Sequence, residues 1–199
     1  MKHLFTLLLV GLTIFELHAQ DSLFVTVHVI YGSKPISENE GKWFGGKLGG
    51  HVGLEIMPGQ VIHFNPGGAV KATRQHSDTG SYVQSSIENF YCTFGCELVK
   101  TMQVKIPITL TERTLLDSIS QQFVAHPPYP YAFFGMRCAA ACYHLLSYTS
   151  IAPEFGDRKM VRRFFYPRKL RKYLIRKAKK THWKITVSDG RESRKWDHD

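Results

Sequence analysis

The sequence predicts an α+β fold in which an antiparallel sheet packs against helices, and three observations point that way. Short Val-rich stretches with period-two alternation fill the first half of the chain. Stretches with helical periodicity fill the second half. The strand signals run together before the helix signals instead of alternating with them, which favours an antiparallel over a parallel sheet.

In chain order, residues 1–19 have the pattern of a secretory signal peptide. Lys2 and His3 make a short positive start, Leu4 to Leu17 an apolar run, and Ala19 a small residue at the cleavage position before Gln20. The apolar run is shorter than the ~20 residues a spanning helix needs. The expected location is therefore exported, periplasmic or extracellular, with Gln20 as mature N-terminus. Residues 20–157 are expected to form one domain, since domains commonly hold ~100–200 residues. A hydrophobic fraction of 43% and an aromatic fraction of 13% supply a core and exclude a disordered chain.

Phe24 to Tyr31 predicts the first strand and His51 to Met57 the second, joined by a Gly/Lys/Ser-rich connection containing Trp43 and Phe44. In the second strand Val52, Leu54 and Ile56 point one way and His51, Gly53 and Glu55 the other. Pro58-Gly59 is a turn signal, and Val61 to Asn65 is the returning strand. Residues 69–90 are polar and give no assignment. Glu97 to Ile108 predicts a further strand. Thr109 to Thr111 marks a helix start, and Leu115, Leu116, Ile119 and Phe123 carry the helix to about Ala125. His126 to Pro130 stops it. A second helix is expected from about Met136 to Tyr148, with Cys138 in its first turn.

Four cysteines form two equally spaced pairs, Cys92/Cys96 and Cys138/Cys142. The first pair reads as structural, with a disulfide among its uses in an exported chain. In the Ala-rich helix the second pair is spaced i,i+4, where disulfide geometry is strained, so a thiol there is free for chemistry. No cofactor or metal is expected: Cys138, His51 and His63 include no closely spaced ligand pair to start a zinc site.

The net charge of +10 is concentrated. Residues 158–184 hold thirteen Lys and Arg and no acid, half of the basic residues in the chain. Residues 158–199 are expected to be a basic, partly helical segment, with Pro167 at a first-turn position and Leu170, Tyr173 and Leu174 as one apolar stripe. Such a helix can dock on the domain, or meet an anionic membrane surface or envelope polymer through Arg168, Lys169, Arg171 and Lys172. Nucleic acid is not an expected partner, because no nucleic-acid motif accompanies the charge.

His51, His63 and Cys138 form the constellation able to carry chemistry. A thiol in the first turn of a helix meets free N–H groups and the positive end of the macrodipole, which favour thiolate. A strand histidine is a natural base, and a second polar residue can orient it. If Ile56 pairs with Ile62 and Leu54 with Phe64, both histidines fall on one face, but four residues apart, roughly 13 Å at strand rise. Matching the apolar faces also requires an odd loop or a bulge in the hairpin.

Gly50-His51-Val52-Gly53-Leu54-Glu55-Ile56, the second His63 and the downstream helix-start Cys138 resemble the circularly permuted NlpC/P60 papain-like superfamily. Its members include the YiiX-like and lecithin:retinol acyltransferase-like cysteine hydrolases. The resemblance implies a fold with the Cys helix packed on an antiparallel sheet that carries the His. It implies Cys138 as nucleophile, His51 as base and His63 as orienter. Where the family often has Asn before the Cys, this chain has Arg137. The function so implied is an exported hydrolase of amidase or peptidase type, acting on an amide or acyl bond of a cell-envelope polymer or lipid. The alternative is a non-catalytic envelope- or membrane-binding protein on the same fold.

Overall fold

The computed structural model describes residues 23–35, 37, 49–67 and 80–196. The expected signal peptide, its cleavage site, and Trp43 and Phe44 lie outside the described residues. The chain is α+β, and its described residues form one six-stranded antiparallel sheet with five helices. The strands are β1 (Leu23–Ile30), β2 (His51–Met57), β3 (Gln60–Pro66), β4 (Gly80–Ser86), β5 (Thr101–Ile108) and β6 (Lys184–Ser188). Their order across the sheet is β4-β3-β2-β1-β5-β6. The helices are α1 (Ile87–Cys92), α2 (Leu110–Ala125), α3 (Cys138–Leu146), α4 (Asp157–Arg163) and α5 (Pro167–Thr181).

Strand alternation assigns each face its cover. Val25, Val27, Val29, Val52, Leu54, Ile62, Phe64, Met102 and Val104 join one core with residues of α2, α3, α4 and α5. On the opposite face Ile30 and Val61 pack with Phe90 and Val99, and Ile87, Tyr91 and Phe94 close over them. The first core is larger because three central strands offer it Val and Leu at every second position, each removing apolar area from water. α3 suits the centre of that face. Eight of its nine residues are buried, as expected of a helix apolar all round, and Ala139, Ala140 and Ala141 let it lie close to β2 and β3.

The hairpin register departs from the sequence expectation by two residues. Leu54 pairs with Ile62 and Gly53 with His63, and a bulge at Ile56 precedes the Met57–Gln60 pair. The bulge restores the match of apolar faces across the tight Pro58-Gly59 turn. The shift also brings the two histidines nearer along the ladder than the supposed register did.

Local signals account for the helix boundaries. α2 starts on a capping box in which the Thr109 hydroxyl accepts the Glu112 N–H at 3.2 Å and the Glu112 carboxylate accepts the Thr109 N–H at 2.9 Å. α3 starts two residues later than expected, because Arg137 is extended and Met136 bridges Tyr131. The strand expected from Glu97 is shortened. Cys92 and Cys96 are joined by a disulfide, Gly95 takes φ 119°, and a 3₁₀ turn over Cys96–Leu98 delays β5 to Thr101. Part of the unassigned stretch 69–90 supplies β4 and the start of α1.

Residues 157–188 supply α4, α5 and β6, and β6 extends the sheet beyond β5. Pro167 stands in the first turn of α5. Arg171, expected among the outward cations, is fully buried instead, with its guanidinium 3.7 Å from the centre of the Tyr31 ring. The helical repeat explains this: Arg171, Leu174 and Ala178 share the inner face with Leu170. Arg168 and Lys169 face water and Lys172 is half-buried.

Candidate active site

β2 carries His51 at its first position, and Gly50 makes that entry possible. With φ +69°, a side chain there would be strained, and its Cβ would fall 2.4 Å from the Ile30 carbonyl oxygen. His51 and Val52 pair with β1, but the β2–β3 ladder begins only at Gly53–His63. β3 meanwhile continues on β4 as far as Pro66. The two strands therefore part at the His51 end of β2.

His51 and His63 meet on the α1 face. Their Nε2 and Nδ1 atoms are 3.0 Å apart, and the rings stand nearly perpendicular. Both side chains are about 5% exposed. Phe94 stacks on His51 with centroids 4.5 Å apart, and Phe90 lies under both rings. Gly53 makes room for Phe90, since a Cβ there would lie 2.4 Å from Val61 and 2.8 Å from the Phe90 ring. His63 Nδ1 also has Asn65 Oδ1 at 3.2 Å, and its Nε2 has the Ser85 hydroxyl at 3.2 Å. Burial, and secondarily the charge of His63, hold His51 well below the usual histidine range. Burial also lowers His63, against an opposing hydrogen bond to the Asn65 amide oxygen. Both rings are thus neutral at pH 7.

Cys138 is the first residue of α3, on the other face of the sheet. The backbone N–H groups of Val52, the residue that follows His51, of Ala139 and of Cys138 itself act on its sulfur and favour the charged form. The thiol therefore lies at the end of β2 that β3 has left. The structure thus brings His51 and His63 together on one face, while Cys138 starts α3 on the other, and among the described residues no hydrogen bond joins its sulfur to either ring. The expectation of a lowered thiol pKa is not met. Cys138 is 3% exposed, and burial pushes the thiol up despite Arg137 and the three N–H donors, which pull it down. Cys142, one turn further in, is also pushed up, by burial and then by Cys138. Both thiols are free. Among the described residues, no group of three His, Cys, Asp or Glu is placed to hold a metal ion.

No family profile and no curated protein matches the chain. Among solved structures it is similar to a type VI secretion system effector, TseH. That match has a TM-score of 0.47 and 12% identity, and covers 85% of this chain and 100% of the other. So remote a likeness carries no argument about function.

Several residues around the site escaped sequence reasoning. Asn65 follows His63 by two, so strand parity alone puts them on one face, and that signal was available. Gly53 inside a strand also signalled a close approach. Ser85, Phe90 and Phe94 come from or adjoin the polar stretch that gave no assignment. Arg137 was visible only as a departure from the family pattern. The residue proves to be 5% exposed, with its guanidinium 4.9–5.3 Å from the ring centres of Phe133, Phe165 and Tyr166.

Proposed function

We propose that this chain is an exported cysteine hydrolase of amidase or peptidase type, cleaving an amide or acyl bond of a cell-envelope substrate. One observation carries the reading: a hydrogen-bonded histidine pair stands at the end of β2 where the Val52 N–H acts on the sulfur of the helix-start thiol. Cys138 is the nucleophile, His51 the base and His63 its orienter.

The hydrogen bonds set the tautomers. His51 Nε2 is taken up by His63, so exchange with the thiol goes through His51 Nδ1. For Nδ1 to be the acceptor, Nε2–H must donate to His63 Nδ1. His63 then keeps its proton on Nε2 and donates it to Ser85. When the sulfur attacks the carbonyl carbon, its proton passes to His51 Nδ1, and the resulting imidazolium is steadied by His63. The carbonyl oxygen becomes an oxyanion near the N–H groups at the open start of α3. Collapse expels the amine or alcohol, which takes the proton from His51. Water then attacks the thioester, giving its proton to His51, and the thiolate leaves and is reprotonated.

The test pairs chemistry with products. Envelope peptides and phospholipid vesicles are incubated with the full chain and with Cys138→Ala, and released amines, carboxylates or fatty acids are measured by mass spectrometry. The reading expects release by the parent chain, none by Cys138→Ala, a ~10²–10⁴-fold loss for His51→Ala, and a smaller loss for His63→Ala. Undiminished release by Cys138→Ala would remove the nucleophile. A second reading, docking on an anionic surface without catalysis, draws on the outer face of α5. Arg168, Lys169, Arg176, Lys179 and Lys180 are exposed there, and the helix has no acid. Salt-sensitive vesicle binding with no product from any substrate would favour it.

A further inference from the structure

We propose that Arg137 is an anion receptor built beside the thiol, binding a carboxylate or phosphate group carried by the substrate, so that the site selects acidic acyl compounds. The inference rests on the reading of Cys138 as nucleophile and adds the class of substrate.

Arg137 is the residue immediately before Cys138, in the cap position of α3. Its side chain is buried, yet no carboxylate among the described residues forms an ion pair with it. Phe133, Phe165 and Tyr166 enclose the guanidinium. Rings can serve the faces of a guanidinium but not its five in-plane N–H donors. The Tyr131 phenol takes one hydrogen bond, and Nη1 is buried with no partner. A buried charge with an unused donor is costly to the fold unless something else uses it. The guanidinium favours the charged form of the Cys138 sulfur, and Arg137 directly precedes Cys138 at the start of α3, so an anion held by Arg137 would belong to a molecule bound beside the thiol. The resting thiol does not serve as the counter-ion, because burial keeps it protonated.

The approach to Arg137 has the same sign. Phe165, one of its three rings, is also a wall of a groove of about 510 Å³ formed with Phe134, Arg158, Val161 and Arg162. Arg158 and Arg162 continue into a second groove with Lys159 and Arg163. Phe134 is 67% exposed at the rim. A groove with cations on an aromatic wall concentrates anionic ligands and gives an apolar part of them a surface to cover.

The test compares two alkylating agents of nearly equal size, iodoacetate and iodoacetamide. Each forms an S–C bond as iodide leaves, and they differ in the carboxylate. Labelling of Cys138 in the full chain carrying Cys142→Ala is followed by peptide mass mapping. The proposal expects the iodoacetate-to-iodoacetamide rate ratio to be about tenfold higher with Arg137 than with Arg137→Met, the scale of one charge-assisted hydrogen bond. Arg137→Lys, which keeps the charge and loses the fork, should fall between. Should Arg137→Met fail to fold, protection in the Arg137 protein decides. Acetate or inorganic phosphate should slow iodoacetate labelling more than chloride does at equal ionic strength. The better protector of the two tells a carboxylate-bearing from a phosphate-bearing substrate. Ordinary iodoacetamide labelling with no iodoacetate preference and no anion protection overturns this inference and leaves the nucleophile standing. A Cys138 that neither reagent labels at any pH overturns both.

Discussion

Gly53→Ala tests whether the histidine pair is positioned by packing. Gly53 pairs with His63 across the ladder, and a Cβ there would fall 2.4 Å from Val61 Cγ1 and 2.8 Å from Phe90 Cε2. Val61 and Phe90 are both fully buried, so neither can swing into water, and the methyl must push Phe90 away from the sheet. Phe90 is the floor under His51 and His63, with ring centroids 5.7 and 5.1 Å away. Overpacking of this kind costs about 1–3 kcal/mol, which for a chain of this size lowers Tm by roughly 2–12 °C. The assay is thermal unfolding by circular dichroism, with long-range ¹⁵N–¹H spectra of the histidines as the second readout. The spectra should show the contact between the two rings weakened. Phe90→Leu in the same chain trims the ring edge, so the double variant should lose less stability than the two single changes add up to. A Gly53→Ala protein with unaltered Tm and unaltered histidine spectra would refute the packing account.

Acid should destabilise the protein through the same two rings. Burial holds both His51 and His63 below their unfolded value near 6.5, so below that pH the unfolded chain binds more protons than the native one. Their contribution is complete above about pH 6.5 and is lost as pH falls from there through the lower folded values. Urea midpoints between pH 8 and 5 should decline, and His63→Asn should flatten the decline; an unchanged slope would refute the assignment. Glu112 acts lower on the scale. Burial opposes its charge, but hydrogen bonds from Ser150 and Thr109 together hold the carboxyl down to about 2. Its stabilisation is present above the unfolded value near 4.3 and lost as pH falls toward 2. Glu112→Gln should cost about 0.5–2 kcal/mol at neutral pH and remove that part of the acid limb.

The fold was legible where one face of a strand or helix was apolar. Val25, Val27 and Val29, or Leu115 through Phe123, announce their elements by period alone. The bulge at Ile56 was legible as a need, since matching apolar faces across Pro58-Gly59 demanded an extra residue, but its position was not. That position set the histidine geometry: the supposed register left His51 and His63 four residues apart, and the observed one leaves two. β4 could not be read, because GSYVQSS is polar and its burial comes from neighbours. Arg171 could not be read either, since a sequence pattern assigns charge to water by default. It is placed inward by its position between Leu170 and Leu174, against Tyr31.

The thiol shows most clearly where position on an element is not enough. A helix N-terminus favours an anion by about 0.3–1 kcal/mol, up to ~2 in partly buried geometries, and 1.36 kcal/mol is one pKa unit. Full burial can move a group by as much as ~3–5 units the other way. Cys138 is almost wholly buried, and the direction of its shift shows that burial wins. The same burial lowers His51, so thiol and imidazole both rest neutral rather than as thiolate and imidazolium. In the proposed reaction His51 therefore takes the proton while the sulfur attacks. The N–H groups at the start of α3 are then unmatched by any negative charge until the oxyanion forms. Interactions that strengthen only as charge develops lower the barrier without deepening the ground state. Burial that works against a stored thiolate thus leaves these donors to act in the transition state.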